Sequence, residues 1–261
     1  MNEPTNQQLI EVCEEAARTA GLHAQNNLHR REEIAQSFDH DVKLVMDSEC
    51  QHVAEQVIAK HFPDHAVLGE EGSTARDNAF EWIIDPIDGT ANYTRGFPYW
   101  CCSVAVRRDG RMLAGCVFVP PFNECYTATA DGLALCNGDS IHSSEVPTLE
   151  KSTVFTGMTK ELDPRALSFF ADTAPKVSKI RIAGAAAIDI CHVACGRSDG
   201  YFEAGIYVWD VAAAALIAER AGAVCTTYPR DELNGLRFLC TNRLIHRAVR
   251  ELVEKHFPVK S

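Results

Sequence analysis

Residues 82–93 read WIIDPIDGTANY. An apolar run feeds into two aspartates, Asp85 and Asp88, with only proline and isoleucine between them and a glycine and threonine after. An Asp-Gly pair ordinarily marks a turn, and Pro86 pushes Asp85 into extended backbone. A turn alone does not explain why a buried strand should end in two mutually repelling carboxylates with no basic residue between them. At a strand end Asp85 and Asp88 can converge while the Ile87 carbonyl turns inward, and hard divalent cations take oxygen ligands of this kind. The alternate acids and closing glutamate of a calcium EF-hand loop are missing. Gly89 lets a phosphate approach the backbone, and amides at the start of a short helix over Thr90–Tyr93 would point at it. Two further acidic places can join: Glu70 and Glu71 in GEEG (69–72), after an apolar run, and Asp210 in WDVAAAAL (209–216), at a helix start. Taken singly, the first reads as a solvated turn and the second as a helix cap.

Outward from this stretch, the chain reads as layered α and β. Leu9, Ile10, Cys13, Ala16, Ala17 and Ala20 share one helical face, so a long first helix is expected over 5–28, with a second over 48–61 that Pro63 ends. AVLG (66–69) and EWIID (81–85) read as buried strands, and 99–130 as an antiparallel meander with a turn at RDGR. The polar segment 140–152 marks a boundary between an N-terminal lobe, 1–145, and a C-terminal lobe, 146–261. Beyond it a strand at STVFTG, a helix over 164–175 and a strand at KIRI are expected. A small-residue helix, GAAAIDICHVACG, closes at Gly196. Then come a strand at DGYFEAG, a helix from Asp210, strands at AVCTTY and LRFLC, and a last helix over 242–256.

The whole-chain properties bound the function. The 261 residues are 46% hydrophobic and 23% charged, an ordinary globular composition. Asp and Glu outnumber Lys and Arg by 36 to 25, a net charge of −11, which argues against a nucleic-acid or anionic-membrane binder. An anionic substrate remains open, because a cation can supply positive charge locally. Eleven scattered cysteines, an odd number, read as reduced thiols in a cytoplasmic protein. The first residues show no signal peptide, and no apolar run is long enough to span a bilayer. His65 and His192 read as packing or surface residues.

GEEG, WIIDPIDGTANY and GAAAIDICHVACGRSDGYFEAGIYVWDVAAAALIAERAGA resemble, in order and spacing, the inositol monophosphatase family of Mg²⁺-dependent, lithium-sensitive phosphatases. The likeness runs from about residue 8 to the end. It implies an α+β fold, a layered α-β-α-β-α sandwich, often a homodimer, and hydrolysis of a small phosphate monoester without a phosphoenzyme. Inositol monophosphate is the first expected substrate, and histidinol phosphate or another sugar or polyol phosphate the alternative. The same fold could also carry a non-catalytic phosphate-ligand-binding protein. Carried onto this sequence, the resemblance implies two to three Mg²⁺ ions. One would be held by Glu70, Asp85 and the Ile87 carbonyl, a second by Asp85, Asp88 and Asp210, and a third, weaker one beside Glu70. Asp47 with Thr90 would activate water. Asp88, Gly89, Thr90, Ala186, Glu203 and Asp210 would contact substrate, with Glu203 accepting from a polyol hydroxyl and repelling a second phosphate. The stretch 158–180 would shape the pocket rim. Three positions depart from the family pattern: Leu44, where many relatives carry Thr three residues before Asp47; Ala185, in place of Ser or Thr; and Ala223, in place of Gly.

Overall fold

The computed structural model of the chain describes residues 3–37, 42–158 and 163–258, with backbone alone for 35–37, 42 and 43. Two helices, α1 (Asn6–Asn26) and α2 (Val45–His61), flank a hairpin of β1 (Ile34–Ser37) and β2 (Val42–Leu44). There follow β3 (Ala66–Gly69), β4 (Ser73–Thr74), β5 (Phe80–Asp88) and the short α3 (Thr90–Thr94). The meander is β6 (Cys101–Arg108), β7 (Arg111–Val119) and β8 (Glu124–Thr129), with β9 (Leu135–Cys136) and β10 (Asp139–Ser140) at its edge. The second half holds β11 (Thr153–Thr156), α4 (Pro164–Thr173), β12 (Lys179–Arg181), α5 (Ala186–Ala194) and β13 (Gly200–Tyr207). It ends with α6 (Val208–Arg220), β14 (Ala223–Pro229), β15 (Gly235–Asn242) and α7 (His246–His256).

The strands form an eight-stranded sheet in the order β10-β9-β8-β7-β6-β5-β3-β4 and a five-stranded sheet in the order β12-β11-β13-β15-β14. Strand alternation then dictates three cores. From β5 to β7, Trp82, Ile84, Cys102, Val104, Val106, Cys116 and Phe118 pack outward under α1 and α2. Their neighbours Ile83, Cys101, Ala105, Val117 and Val119 face a central layer built from α5 and α6. In the smaller sheet Tyr201, Phe238 and Cys240 look into that same central layer, while Phe202, Ala204 and Leu239 pack outward under α4 and α7. Five layers result, α-β-α-β-α, the order that the family resemblance implies. Small residues make the central layer thin: a side chain on Gly115 of β7 would meet the Ala213 backbone of α6 at 2.8 Å.

Most elements fall where periodicity places them, and the differences have physical reasons. The Asp109-Gly110 turn between β6 and β7 holds both residues at positive φ, 49° and 80°, as a tight two-residue hairpin requires. The second helix starts at Val45, three residues early, because Asp47 reaches back to cap it rather than preceding it. The last helix starts later than expected, at His246, after Asn242 Oδ1 accepts from the amides of Leu244 and Ile245 at 3.0 Å each. The β1–β2 hairpin, with strands of four and three residues, is too short for a period to show and was not expected. All eleven cysteines are free thiols.

Candidate active site

A bulge makes the site possible. In a regular strand Asp85 and Asp88, three residues apart, would point to opposite faces. The β5–β6 register slips between the pairs Asp85↔Ser103 and Asp88↔Cys101, so one extra residue is accommodated and both acids turn toward the central layer. Asp85 is 1% exposed and Asp88 7% exposed. Glu70 follows the end of β3, where its amide donates to the Ile84 carbonyl at 3.2 Å, and so lands beside the Asp85 end of β5. Asp210 is the third residue of α6, and its Oδ2 accepts from the Tyr207 amide at 2.7 Å. Asp47 occupies the corresponding place in α2, its Oδ2 accepting from the Leu44 amide at 2.9 Å. The carboxylate is therefore held by main chain, whatever side chain stands at 44, and the Leu44 side chain is wholly buried in the core.

These acids act on one another. Asp85 lies close enough to both Glu70 and Asp210 to interact with each, and carboxyls this near one another either share a proton or share a cation. Burial, then the charges of Asp210 and Asp47, raise Glu70 well above the ordinary carboxylate range. Burial, then Glu70, Asp88 and Asp210, do the same to Asp85. Asp210 is pushed up to about 8 by burial and by Asp88, although its side chain is partly exposed and water softens that effect. Asp88 rises less, to about 6: burial raises it, but the Ala187 and Ala186 amides donate to Oδ2 at 2.7 Å and Oδ1 at 3.1 Å. The Cys101 thiol adds a weak contact to Oδ2 at 3.6 Å.

The donor set suits a divalent cation. The buried Oδ1 of Asp85 accepts from no described group, and the strongest electrostatic neighbours of Asp85 are other acids. An orphaned buried oxygen among carboxylates is a site lacking positive charge. Among the described residues no three His, Cys, Asp or Glu side chains already form a metal cage.

The remaining expected residues sit around this cluster. Gly89 has φ +89°, and a Cβ there would lie 2.9 Å from the Tyr99 carbonyl, so glycine is required on both counts. Thr90 Oγ1 donates to the Ile87 carbonyl at 3.0 Å. A hydroxyl has one proton, so pairing with Asp47 would require it to rotate; the Ile87 oxygen keeps its second lone pair in either case. Ala186 offers an amide, already donated to Asp88. Glu203 lies on the face of β13 that looks at the central layer, just before a register shift against β15. It accepts from the wholly buried Tyr201 hydroxyl and is pushed up to about 7, chiefly by burial. Of the stretch 158–180, residues 159–162 lie outside the described residues.

Sequence reasoning missed Asp189 and Tyr99. Asp189, 2% exposed on α5, accepts from the Tyr99 hydroxyl at 2.5 Å, and burial raises its pKa well above the ordinary range. The available signal was a lone acid in the apolar run GAAAIDICHVACG. His192 and His65 are packing residues, as expected. His192 meets Phe155 and Tyr99 edge-on and is pushed down to about 4 by burial. His65 stacks on Phe62 and Phe80, and its Nδ1 accepts from Trp82 at 3.1 Å.

Fold and site together define an α+β sandwich protein with an acidic cluster at its strand ends. The family model described as "Inositol monophosphatase family" matches residues 5–257, and the chain belongs to that family. A relative named "Nus factor SuhB" from Vibrio cholerae is 34% identical over 84% of this chain and 85% of its own. One from Aquifex aeolicus, named "Fructose-1,6-bisphosphatase/inositol-1-monophosphatase", is 30% identical over 96% of this chain and 97% of its own. The solved inositol monophosphatase of Anabaena superposes with a TM-score of 0.82 at 32% identity, covering 95% of this chain and 96% of that one. No helix among the described residues is long and apolar enough to cross a membrane.

Proposed function

We propose that this protein is a Mg²⁺-dependent phosphomonoesterase acting on a small polyol phosphate, with inositol monophosphate first. The observation that carries the reading is the acid cluster, in which Asp85 sits beside Glu70 and Asp210 with a buried oxygen that no described group satisfies. Glu70, Asp85 and the Ile87 carbonyl would hold one ion, Asp85, Asp88 and Asp210 a second, and Glu70 a weaker third. Divalent cations, when bound, supply the positive charge that a doubly charged monoester lacks in these acidic surroundings.

The chain's own groups do the rest. Asp47 and Thr90 hold a water in line with the phosphorus, Asp47 taking its proton once the Thr90 hydroxyl swings from Ile87. The Gly89 and Thr90 amides grip the phosphoryl oxygens, and the left-handed turn at Gly89 lets the ester come close to the backbone. Glu203, steadied by Tyr201, accepts from a substrate hydroxyl. That contact favours a polyol over an ester with a second phosphate nearby, although the Aquifex relative's name joins both substrates. Lithium inhibition, a homodimer, cytoplasmic residence and the two-lobe division at 145/146 belong to the same reading, supported by the family likeness.

The test is phosphate release from inositol monophosphate, histidinol phosphate, fructose bisphosphate and an aryl phosphate, with Mg²⁺ and with EDTA. Mg²⁺-dependent release, fastest with inositol monophosphate and suppressed by millimolar lithium, is expected. Binding of these esters with no turnover would instead favour the non-catalytic alternative, which the Vibrio relative's name makes worth its own arm.

A further inference from the structure

Asp189 is a buried acid that the hydrolysis described above leaves without a role. It contacts a phenol rather than a cation, and such a carboxylate is costly to keep in a core. Its surroundings explain why it is there.

Tyr99 lies just before β6, on the side of the eight-stranded sheet, while Asp189 belongs to α5. The Tyr99 hydroxyl ties the two together at 2.5 Å. The Tyr99 carbonyl is the atom that lies against Gly89, and it accepts from Asn92 Nδ2 at 2.8 Å. Asn92 Nδ2 also reaches the carbonyls of Ala183 at 2.9 Å and Gly184 at 3.3 Å, immediately before α5. Three carbonyl partners fix that atom as the amide nitrogen. Gly184, at φ +83°, delivers the chain into α5, whose first amides hold Asp88. The head of α5 is thus pinned to the Asp85–Asn92 stretch at two points, Asp88 and Asn92, and at a third to Tyr99, whose carbonyl Asn92 also holds.

We infer that Tyr99, Asp189 and Asn92 are positioning residues that lock the head of α5 onto the Asp85–Asn92 loop. The lock keeps Asp88 and the Gly89–Thr90 amides in their working geometry. None of the three touches the phosphoryl group; they act through Asp88 and Gly89. The inference rests on the phosphatase reading for its consequence in rate, and on hydrogen bonds alone for its geometry. Groups that orient a cation's ligands typically change metal affinity or activity by about ten- to a hundredfold when removed.

The experiment compares wild type with Tyr99→Phe, Asn92→Ala, Asp189→Asn and the double variant Tyr99→Phe/Asp189→Asn. It reads kcat, KM, the Mg²⁺ concentration for half-maximal rate, and the gain in Tm on adding Mg²⁺ to metal-free protein. Tyr99→Phe and Asn92→Ala are expected to lower kcat about tenfold and raise the Mg²⁺ requirement several-fold, with KM within about twofold. Asp189→Asn keeps an oxygen acceptor for the Tyr99 hydroxyl and should retain most of the rate. The double variant should be no worse than Tyr99→Phe, since both changes act through one bond. A fall in metal-free Tm with kcat and Mg²⁺ requirement unchanged would show mere packing and overturn the inference. If wild type hydrolyses none of the esters, the phosphatase reading falls by itself. The Tm gain then decides the lock, a smaller gain in Tyr99→Phe supporting it and an equal gain refuting it.

Discussion

Replacing Asp85 with asparagine should stabilise the metal-free protein and destabilise the metal-loaded one. Asp85 is 1% exposed, its Oδ1 accepts from no described group, and Glu70, Asp88 and Asp210 all repel its charge. Asparagine of the same shape removes that charge and offers two donors to the neighbouring carboxylates. A hydrogen bond to a charged group contributes roughly 1.5–3 kcal/mol, so a gain of about 2 kcal/mol is expected in EDTA. At roughly 2–4 °C per kcal/mol for a chain approaching this size, Tm should rise by about 4–8 °C. With Mg²⁺ at a hundredfold excess over its Kd, wild type gains about 2.7 kcal/mol, and the variant, short of a shared ligand, gains little. The two melting curves should therefore exchange order when the ion is added.

The pH dependence of the same pair follows from linkage. The folded protein holds the Asp85 proton more tightly than the unfolded chain, whose carboxyl titrates at the ordinary 3.8. The wild-type folded state therefore fares best below that value and loses stability as pH rises toward the raised folded pKa. Asparagine does not titrate, so its advantage in EDTA should be larger at pH 8 than at pH 5. Differential scanning fluorimetry over that range, with and without Mg²⁺, reads both effects. An Asp85→Asn protein that melts lower than wild type in EDTA, or that gains as much from Mg²⁺, would refute the reasoning.

Two further outcomes follow from single residues. Gly89→Ala places a Cβ at φ +89° and 2.9 Å from the Tyr99 carbonyl, so a loss of at least about 2 kcal/mol and a drop in phosphate affinity are expected, read by thermal melts and phosphate inhibition. Unchanged melting would mean that the loop is free to rearrange. Leu44→Thr restores the residue common in the family but buries a hydroxyl in place of a wholly buried leucine, a cost of about 3 kcal/mol. Because Asp47 is already held by the Leu44 amide, kcat should stay within about twofold, and a tenfold rise would show that the threonine side chain had been missing.

The layers were legible because their signal is local. The continuous apolar runs of β5–β7 and the helical face of α1 depend on neighbours a few residues away, and they mark strands buried on both sides and a helix buried on one. The β1–β2 hairpin, with strands of only four and three residues, is too short to carry such a signal. The ties that shape the site are long-range: Asp88 finds its amide donors at Ala186 and Ala187, and Tyr99 finds Asp189, each across some ninety residues or more. No spacing rule reaches that far.

Asp47 and Asp210 show a subtler limit. Each is the third residue of its helix, and each bends one oxygen back to the amide before it, at 2.9 and 2.7 Å. A sequence shows only an acid near a helix start, where capping is an adequate explanation. In the folded chain the cap and the cluster are not alternatives. The backbone amide fixes Oδ2 and so fixes the plane of the carboxyl, while its charge still acts on the cluster: Asp47 and Asp210 on Glu70, and Asp210 on Asp85. Capping thus orients each carboxyl toward the cluster. A helix-stabilising residue and a site residue can therefore be one side chain, distinguished only by what faces its other oxygen.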